Sequence, residues 1–330
     1  IDLTNTPLVI HGNINLTDDI FSSTGSDILV TGSGATTITS NGYTFNNITI
    51  LNSSGVTLND NMTVSGTLGL SSGVISTGSN VLIITNTSAS AISGGSGTSF
   101  IYGNLRRYIA PNTGTYVFPI GQGFGTTNYF RADLINNNMN LPGNNDHIQM
   151  SVASEAETGT NTDQYLNISQ DGTPINNIYS NAIWTMSPSM GGAFLSGNYG
   201  LNYYIANIPG LMDNKFTIVK RPTTSTTYAD WSTHDLTTTI PIGGTAGRTV
   251  SGGYAQKLGF TSFSKGGLGQ GNDPLPIELL YFTAEVITNE HVRLQWETLS
   301  EINNERFEIE RSPDGINWSI IGIVNGHGTT

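Results

Sequence analysis

Residues 47–70 carry the pattern that decides the fold, NITILNSSGVTLNDNMTVSGTLGL. Apolar residues recur there in pairs two positions apart, at 48 and 50, 56 and 58, 62 and 64, and 68 and 70. This spacing is the period of a β-strand. The pairs are separated by Ser54-Gly55, Asn59-Asp60 and Ser65-Gly66, which favour turns. The stretch therefore predicts very short strands linked by tight turns.

The same texture extends over residues 1–105, in which 60 positions are Gly, Ser, Thr or Asn. Such strands are too short for stable hairpins, but they suit the rungs of a parallel β-helix. An antiparallel sandwich or prism, and a disordered linker, remain as alternatives. The region holds five Asp and no Lys or Arg. Because stacked rungs bring equivalent positions together, like charges there would repel. Asn, Ser and Thr are expected to form hydrogen-bonded ladders instead.

Residues 106–264 are richer in aromatic side chains and have longer alternating segments, at 116–120, 148–152, 182–186, 201–205, 216–219 and 258–262. No segment keeps a helical period over ten residues. This pattern predicts a β-sandwich. Its aromatic residues are expected to form the core first and a ligand platform second. The first candidates for such a platform are Trp184, Trp231, Tyr203 and Tyr204.

Residues 265–276 contain four Gly within six positions, followed by two prolines, and predict a flexible linker. Residues 277–330 differ again, with eight of the ten Glu of the chain and strands at 278–286, 291–297, 307–311 and 318–324. Alternation around Trp296 predicts one buried and one exposed face. A sandwich of the immunoglobulin or fibronectin type III kind needs about seven strands. We therefore predict an incomplete module, to be completed by further chain or by another molecule.

The C-terminal residues resemble a known module. Residues 275–284, 292–298, 300–304 and 307–318 are similar to the pattern LPVELLxF…VxLxWxTxSExNNxxFxIERSxDGxxW. That module is common near the C-terminus of large secreted, adhesin-like proteins of Bacteroidetes-type bacteria. Four upstream segments resemble the region that precedes it, namely residues 101–107, 116–121, 219–221 with Trp231, and 259–264. The resemblance implies a β-helix, a β-sandwich and a fibronectin-like module, and export by type IX secretion.

The acidic residues and the histidines are the candidates for catalytic or metal-binding groups. Lyase chemistry on a β-helix requires Ca²⁺-binding carboxylates and a basic residue, yet the first basic residue is Arg106. Glycoside hydrolysis requires two carboxylates about 5–10 Å apart. Glu155 and Glu157 lie two positions apart, but their surroundings predict a solvated loop edge. The sequence therefore assigns no catalytic residue.

Metal and cofactor sites are likewise not predicted. The five histidines lack metal-ligand spacing, and His234 with Asp230 and Asp235 is explained by a turn. Oxygens at 144–146, 171–172 and 213–214 have no repeat or EF-hand spacing for Ca²⁺. The Gly-rich residues 121–125 lack the Lys and helix of a phosphate loop and predict a turn. No cofactor-binding residue and no metal ligand is assigned.

Charge and composition limit the partners. The net charge is −12 and the longest basic run is Arg106-Arg107, which disfavours nucleic acid and anionic membranes. The longest apolar run, residues 81–84, is too short to span a bilayer. We expect a non-catalytic, secreted structural or adhesive protein of the cell surface, with neighbouring copies or surface glycans as partners. It would form filaments by strand exchange between chains. Alternatives are a carbohydrate-binding or polysaccharide-degrading surface protein, and a fragment of a larger secreted enzyme.

Overall fold

The structure is a computed structural model of the 330-residue chain. It describes residues 4–5, 7–17, 24–111, 113–139, 141, 146–157, 168–170, 173–175, 177–189, 198–232, 248–271, 278–288, 291–301 and 304–328. The chain divides into two compact units, Ile1–Gly271 and Asn272–Thr330. The predicted all-β class is confirmed. Short 3₁₀ turns occur at Ala89–Ala91, Thr126–Asn128, Tyr228–Asp230 and Val250–Gly252. Within the described ranges, no helix has the length and apolar character needed to cross a membrane.

The N-terminal region is a β-solenoid, as predicted. Its strands are β1 (Leu8–Ile10), β2 (Ile14–Asn15), β3 (Asp27–Thr31), β4 (Thr36–Thr39), β5 (Thr44–Phe45), β6 (Asn47–Leu51), β7 (Val56–Leu58), β8 (Met62–Val64), β9 (Leu68–Ser72), β10 (Ile75–Ile84) and β11 (Ile92–Gly94). Strands of successive coils pair in parallel. One sheet, β1-β3-β6-β9-β11, keeps in register Leu8, Ile28, Ile48, Leu68 and Ile92. In this sheet the repeat is 20 residues, and it lengthens to 24 at the last step, from Leu68 to Ile92.

Amide and hydroxyl side chains connect neighbouring coils, which confirms the predicted ladders. Asn47 donates from Nδ2 to Asp27 Oδ1 at 2.8 Å, and its Oδ1 accepts the backbone N–H of Thr67 at 2.8 Å. Inside the coil, the buried Asn52 donates to Thr36 Oγ1 at 2.8 Å. A neutral amide can both donate and accept. It therefore serves two coils without facing a like charge 20 residues away.

Arg107 ends one apolar column of the solenoid. The column runs through Phe45, Val64 and Ile84, and Arg107 is in register with Ile84. The Arg107 side chain is fully buried, and its Nη1 donates to the backbone carbonyl of Val117 at 2.9 Å. A buried charge requires such partners. Arg107 therefore closes the solenoid core with hydrogen bonds to the chain that follows it.

The following strands are β12 (Ile101–Tyr108), β13 (Gly114–Phe118), β14 (Ile120–Gly121), β15 (Ala132–Asn137), β16 (His147–Ala153), β17 (Ile168–Gln170), β18 (Thr173–Ile175), β19 (Asn177–Ile178), β20 (Ile183–Pro188), β21 (Asn198–Tyr204), β22 (Phe216–Arg221), β23 (Tyr254–Phe260) and β24 (Lys265–Gln270). β13, β15, β21 and β23 form a four-stranded antiparallel sheet. β16, β20, β22 and β24 continue the large sheet of the solenoid. Side chains of both sheets share one hydrophobic core with the solenoid.

The predicted boundary between residues 105 and 106 falls inside β12. This strand pairs in parallel with β10 on one edge and antiparallel with β16 on the other. One sheet therefore passes from the solenoid into the sandwich, within the unit Ile1–Gly271. The composition changes at Arg106 because the parallel stacking of equivalent positions ends there. It does not mark the end of the compact unit, which continues to Gly271.

The predicted linker at 265–276 is wrong for its first half. Residues Lys265–Gln270 form β24, which is buried along its whole length and pairs with β19, β20 and β22. A Cβ on Gly266 would lie 1.9 Å from Tyr203 Oη, and one on Gly267 would lie 2.9 Å from the Trp231 ring. The glycines thus make room for aromatic side chains. Residues 272–277 lie outside the described ranges.

The C-terminal unit contains two antiparallel hairpins, and its four predicted strands are present. They are β25 (Glu278–Thr288) with β26 (His291–Ser300), and β27 (Asn304–Arg311) with β28 (Ser319–Gly328). Trp296 and Leu294 alternate with exposed neighbours, but they are only half-buried, and Val292 is exposed. The expected fully buried face is therefore not formed, since each described sheet has only two strands.

Candidate functional site

Glu155 and Glu157 do not form a solvated loop edge, because they hold buried cations. Glu155 Oε2 accepts from Arg221 Nη2 at 2.7 Å, and Oε1 accepts from Lys265 Nζ. Glu157 pairs with the other terminal nitrogen of Arg221, whose guanidinium carbon lies 4.4 Å from the Trp231 ring centroid. Burial raises the pKa of Glu155, but hydrogen bonds from Lys265 and Arg221 outweigh it and leave the pKa lowered. The two carboxylates therefore belong to a structural ion-pair network.

Lys220 is the most unusual basic side chain of the sandwich. It is fully buried, and its Nζ donates to the hydroxyl of Tyr199 and to the backbone carbonyl of Ser262. The rings of Tyr199 and Phe260 have their centroids 5.1 Å and 4.8 Å from Nζ. Burial lowers the pKa of Lys220 to about 7. With no exposed surface, this amine is a core group.

The aromatic residues named as a ligand platform lie mainly in the core. Trp184, Tyr203 and Trp231 are at most 2% exposed, and Tyr204 is half-buried. Trp184 stacks on Tyr203 with 3.9 Å between ring centroids. This confirms the prediction that the aromatic residues form the core first, because the two sheets of the sandwich use their large rings to fill the space between them. The second possibility, a ligand platform, is wrong for Trp184, Tyr203 and Trp231.

The remaining candidates lie apart from one another or outside the described residues. Residues 171–172 and 234–235 are not described, nor are 144–145. Asp213 Oδ1 accepts the backbone N–H of Val250 at 2.7 Å. Asn214 Oδ1 accepts that of Arg248 at 2.9 Å. In the part of the chain that the structure describes, no three His, Asp or Glu residues cluster as metal ligands.

A cleft of about 690 Å³ opens where the solenoid meets the sandwich. Five segments build it: β12, the loop after β14, the end of β16, the turn between β19 and β20, and the turn after β21. Its amide side chains are Gln122, Asn128, Asn181 and Asn207. Its hydroxyls are those of Thr127 and Ser154, and its aromatic rings are those of Tyr102, Phe130 and Tyr179. Gly123 and Pro209 complete the lining.

The loop of residues 121–128 shapes one wall of the cleft. Gly121 packs so closely that a Cβ would lie 2.3 Å from the Asn128 carbonyl oxygen and 2.6 Å from the Phe100 ring. Gly123 and Gly125 have φ angles of 66° and 123°, a region that favours glycine. Only glycine therefore fits this close, sharply bent path, and the turn expected at 121–125 becomes a wall of the cleft.

Hydrogen bonds from the amides hold the wall in place. Gln122 donates from Nε2 to the Asn181 carbonyl oxygen, and its Oε1 accepts from Ser154 Oγ at 3.2 Å. Asn128 Nδ2 donates to the Phe124 carbonyl at 2.8 Å. Asn207 Nδ2 donates to the Tyr129 carbonyl at 3.0 Å. These bonds use the donors of the two asparagines and leave their Oδ1 acceptors without partners among the described residues.

Asn181 and Tyr102 offer further contact groups. The Asn181 side chain is exposed and makes no hydrogen bond within the described ranges. Tyr102 is 38% exposed at the rim of the cleft. Deeper in, Phe130 is buried and lies 6.4 Å from Tyr179, measured between ring centroids. The cleft thus combines free amide groups at its mouth with aromatic surface along its side and base.

The chemistry of this lining is neutral throughout. Amides and hydroxyls donate and accept hydrogen bonds, and aromatic rings offer an apolar face for C–H groups. None of the described residues that line the cleft is Lys, Arg, His, Asp or Glu. The arrangement suits a neutral, hydroxyl-rich ligand held by hydrogen bonds and ring contacts.

The sequence did not point to this cleft. Asn is abundant in the chain, so the individual residues Asn181 and Asn207 carry no local signal. The signal available was Phe124, an aromatic residue between two glycines in a turn, which is 66% exposed. Comparisons with protein-family models, with curated proteins and with solved structures gave no match to this chain.

Proposed function

We propose that this protein is a non-catalytic adhesive protein of the cell exterior that binds neutral carbohydrate in the cleft beside Tyr102. The amide and aromatic lining of the cleft carries the proposal, because it provides hydrogen-bond partners for hydroxyls together with ring faces for the C–H surfaces of a sugar. The β-solenoid fold is compatible with surface and polysaccharide-binding proteins.

The lining of the cleft also supports a function without catalysis. Cleavage of a glycosidic bond requires an acid and a second carboxylate placed across it. The described lining of the cleft consists of amides, hydroxyls, aromatic rings, Gly123 and Pro209. Glu155 and Glu157, which follow the cleft residue Ser154 in the sequence, form ion pairs with Arg221 and Lys265. Binding without turnover is therefore the activity that these residues support.

The cellular setting rests on the sequence. The resemblance of residues 274–325 to a module of secreted Bacteroidetes-type surface proteins supports export, by type IX secretion, to the cell surface. The Ser, Thr and Asn side chains of the solenoid also suit a structure that faces solvent. Surface glycans are the partner that both the expected location at the cell surface and the lining of the cleft support.

A glycan array probed with the full chain tests the proposal. It should carry neutral oligosaccharides and, separately, uronic-acid and sulfated ones. We expect retention on neutral glycans alone. Asn181→Ala should weaken binding about tenfold, since a hydrogen bond to a neutral partner contributes about 0.5–1.5 kcal/mol. Thr115→Ala changes an exposed residue outside the cleft and should bind like the parent. Retention of no neutral glycan would remove the proposal.

A second candidate function, self-association through the C-terminal unit, is favoured by its exposed apolar residues. A recess of about 330 Å³ there is lined by Leu279, Phe282, Leu294, Trp296, Phe307 and Ile309. Trp318 and Ile320, on the hairpin of β27 and β28, are 59% and 52% exposed. Strand exchange between chains would cover such surfaces. Sedimentation should show association that grows with concentration and falls in an Ile320→Ser variant. Monomers at every concentration would contradict it.

A further inference from the structure

Phe124 lies between the cleft and a second recess. This recess, of about 200 Å³, is lined by Phe124, Gly125 and Thr126 together with the solenoid turns at 53–55, 73–74 and 97–98. The cleft is lined by the neighbouring residues of the same loop, Gly123, Thr127 and Asn128. One loop thus separates two depressions, and the Phe124 ring stands at their common border.

The exposed Phe124 ring is held in place by its surroundings. The loop is fixed by the hydrogen bond from Asn128 Nδ2 to the Phe124 carbonyl, at 2.8 Å. The ring meets Tyr102 edge to face, with 6.1 Å between centroids and 75° between planes. At 66% exposure it nevertheless leaves most of its surface to solvent. Together with Tyr102, which is 38% exposed, it presents two fixed aromatic rings to solvent beside the cleft.

Glycine residues, which carry no side chain, form the floor of the recess beside Phe124. Gly55 and Gly73 have φ angles of 87° and 90°. A Cβ on Gly73 would lie 1.7 Å from the Asn52 carbonyl oxygen, and one on Gly97 would lie 2.8 Å from the Thr126 carbonyl oxygen. Side chains are therefore excluded where a flat ligand would rest against the aromatic ring. Hydroxyls of Ser53, Ser54 and Thr98 surround this floor.

We infer that the cleft and the recess form one groove for a neutral oligosaccharide, with Phe124 as the ring on which a sugar beyond the cleft stacks. The recess is smaller than the roughly 300–1,000 Å³ of a typical small-molecule site, so it serves as an extension of the cleft. Its described lining, like that of the cleft, holds no Lys, Arg, His, Asp or Glu. This inference rests on the proposed function and specifies the length and charge of the ligand.

Binding of neutral oligosaccharides, graded from mono- to hexasaccharide, tests the groove by calorimetry with the full chain. Affinity should rise with length until the recess is filled. In Phe124→Ala this rise should disappear, with a loss of about tenfold for the longer ligands and none for the shortest. Tyr281→Ala removes an exposed ring from the C-terminal unit that lines neither the cleft nor either recess, and it serves as the matched control.

The outcomes separate the two claims. If neutral sugars bind but Phe124→Ala has the parent affinity at every length, the groove is overturned and the cleft proposal survives. If affinity does not depend on length in the parent, the groove is also overturned. If no neutral sugar binds to any variant, the proposed function itself fails. An equal loss for short and long ligands would assign Phe124 to the cleft and contradict the extension.

Discussion

The indole of Trp184 stacks on the ring of Tyr203, with 3.9 Å between centroids and 7° between planes. Trp184 belongs to β20 in the large sheet and Tyr203 to β21 in the four-stranded sheet, so this contact joins the two layers of the sandwich. Trp184 Nε1 also donates to the Phe130 carbonyl at 2.9 Å. Because Phe130 lines the cleft, the stack that forms the core also positions the candidate site.

Gly266 determines whether this stack can form. Its missing Cβ would lie 1.9 Å from Tyr203 Oη. Gly266→Ala should therefore displace Tyr203 and lower the free energy of unfolding by about 1–3 kcal/mol, as overpacking does. Gly34→Ala is the matched control, since nothing lies within 4 Å of its Cβ position. Urea unfolding and near-ultraviolet circular dichroism measure the effect. Equal stability of the two variants would contradict this packing.

Glu155 neutralises Arg221 and Lys265 within the sandwich. Glu155→Gln removes that charge and should lower the free energy of unfolding by about 3 kcal/mol, because breaking a buried ion pair leaves a charge unpaired. Glu308→Gln breaks an exposed pair with Arg306 and should change stability by less than about 0.5 kcal/mol. The free energies come from denaturant titration. A loss no larger than that of the control would show that the network is not structural.

Lys220 predicts a stability that rises with pH. Its pKa is lowered from 10.5 to about 7 in the folded chain, so between these values the unfolded chain binds more protons. Raising the pH from about 7 to about 9 should add roughly 2 kcal/mol to the free energy of unfolding. Lys220→Met should remove most of this rise. Unfolding curves at both pH values measure this increase in the free energy of unfolding. An equal increase in the variant would show that other groups cause it.

Glu301 predicts acid sensitivity of the C-terminal hairpin β27–β28. Hydrogen bonds from the His327 backbone N–H, the Asn304 amide and the Thr298 hydroxyl lower the pKa of Glu301 from 4.5 to about 2. The stability they add is present above pH 4.5 and is lost as the pH falls toward 2. Amide exchange of β27 and β28 should therefore lose protection over that range, and Glu301→Gln should abolish this pH dependence. Protection that stays constant in the parent would contradict it.

Local periodicity favoured the solenoid. Apolar pairs two residues apart, as at Ile48 and Ile50, with turns between the pairs, suit the rungs of a parallel β-helix better than hairpins, although the pattern alone left a sandwich or prism open. The boundary between solenoid and sandwich could not be predicted. The sequence of β12 has the same alternating pattern whether the strand beside it runs parallel or antiparallel. Gly266 was read as part of a linker, since a glycine beneath a distant tyrosine has the same local sequence as a flexible one. Only the tertiary contacts show which strand pairs with β12 and whether Gly266 is buried or flexible.

The candidate cleft was harder to foresee for a related reason. Gln122, Ser154, Asn181 and Asn207 come from separate segments that antiparallel pairing brings together. Each is a common polar residue with no spacing that marks it. The same holds for Glu155, whose cationic partners are 66 and 110 residues away. The core position of large aromatics such as Trp231 was the first expectation, but the sequence left a ligand platform open, because core and ligand surfaces favour the same residues.

Binding of a neutral oligosaccharide in the cleft is the central claim, and NMR of the full chain tests it most directly. Backbone amide signals should be followed during titration with the neutral glycan best retained on the array. We expect shifts that saturate and are confined to the cleft, at residues such as Gly123, Asn181 and Asn207. Shifts confined to the C-terminal hairpins, or no shifts at saturating ligand, would contradict it.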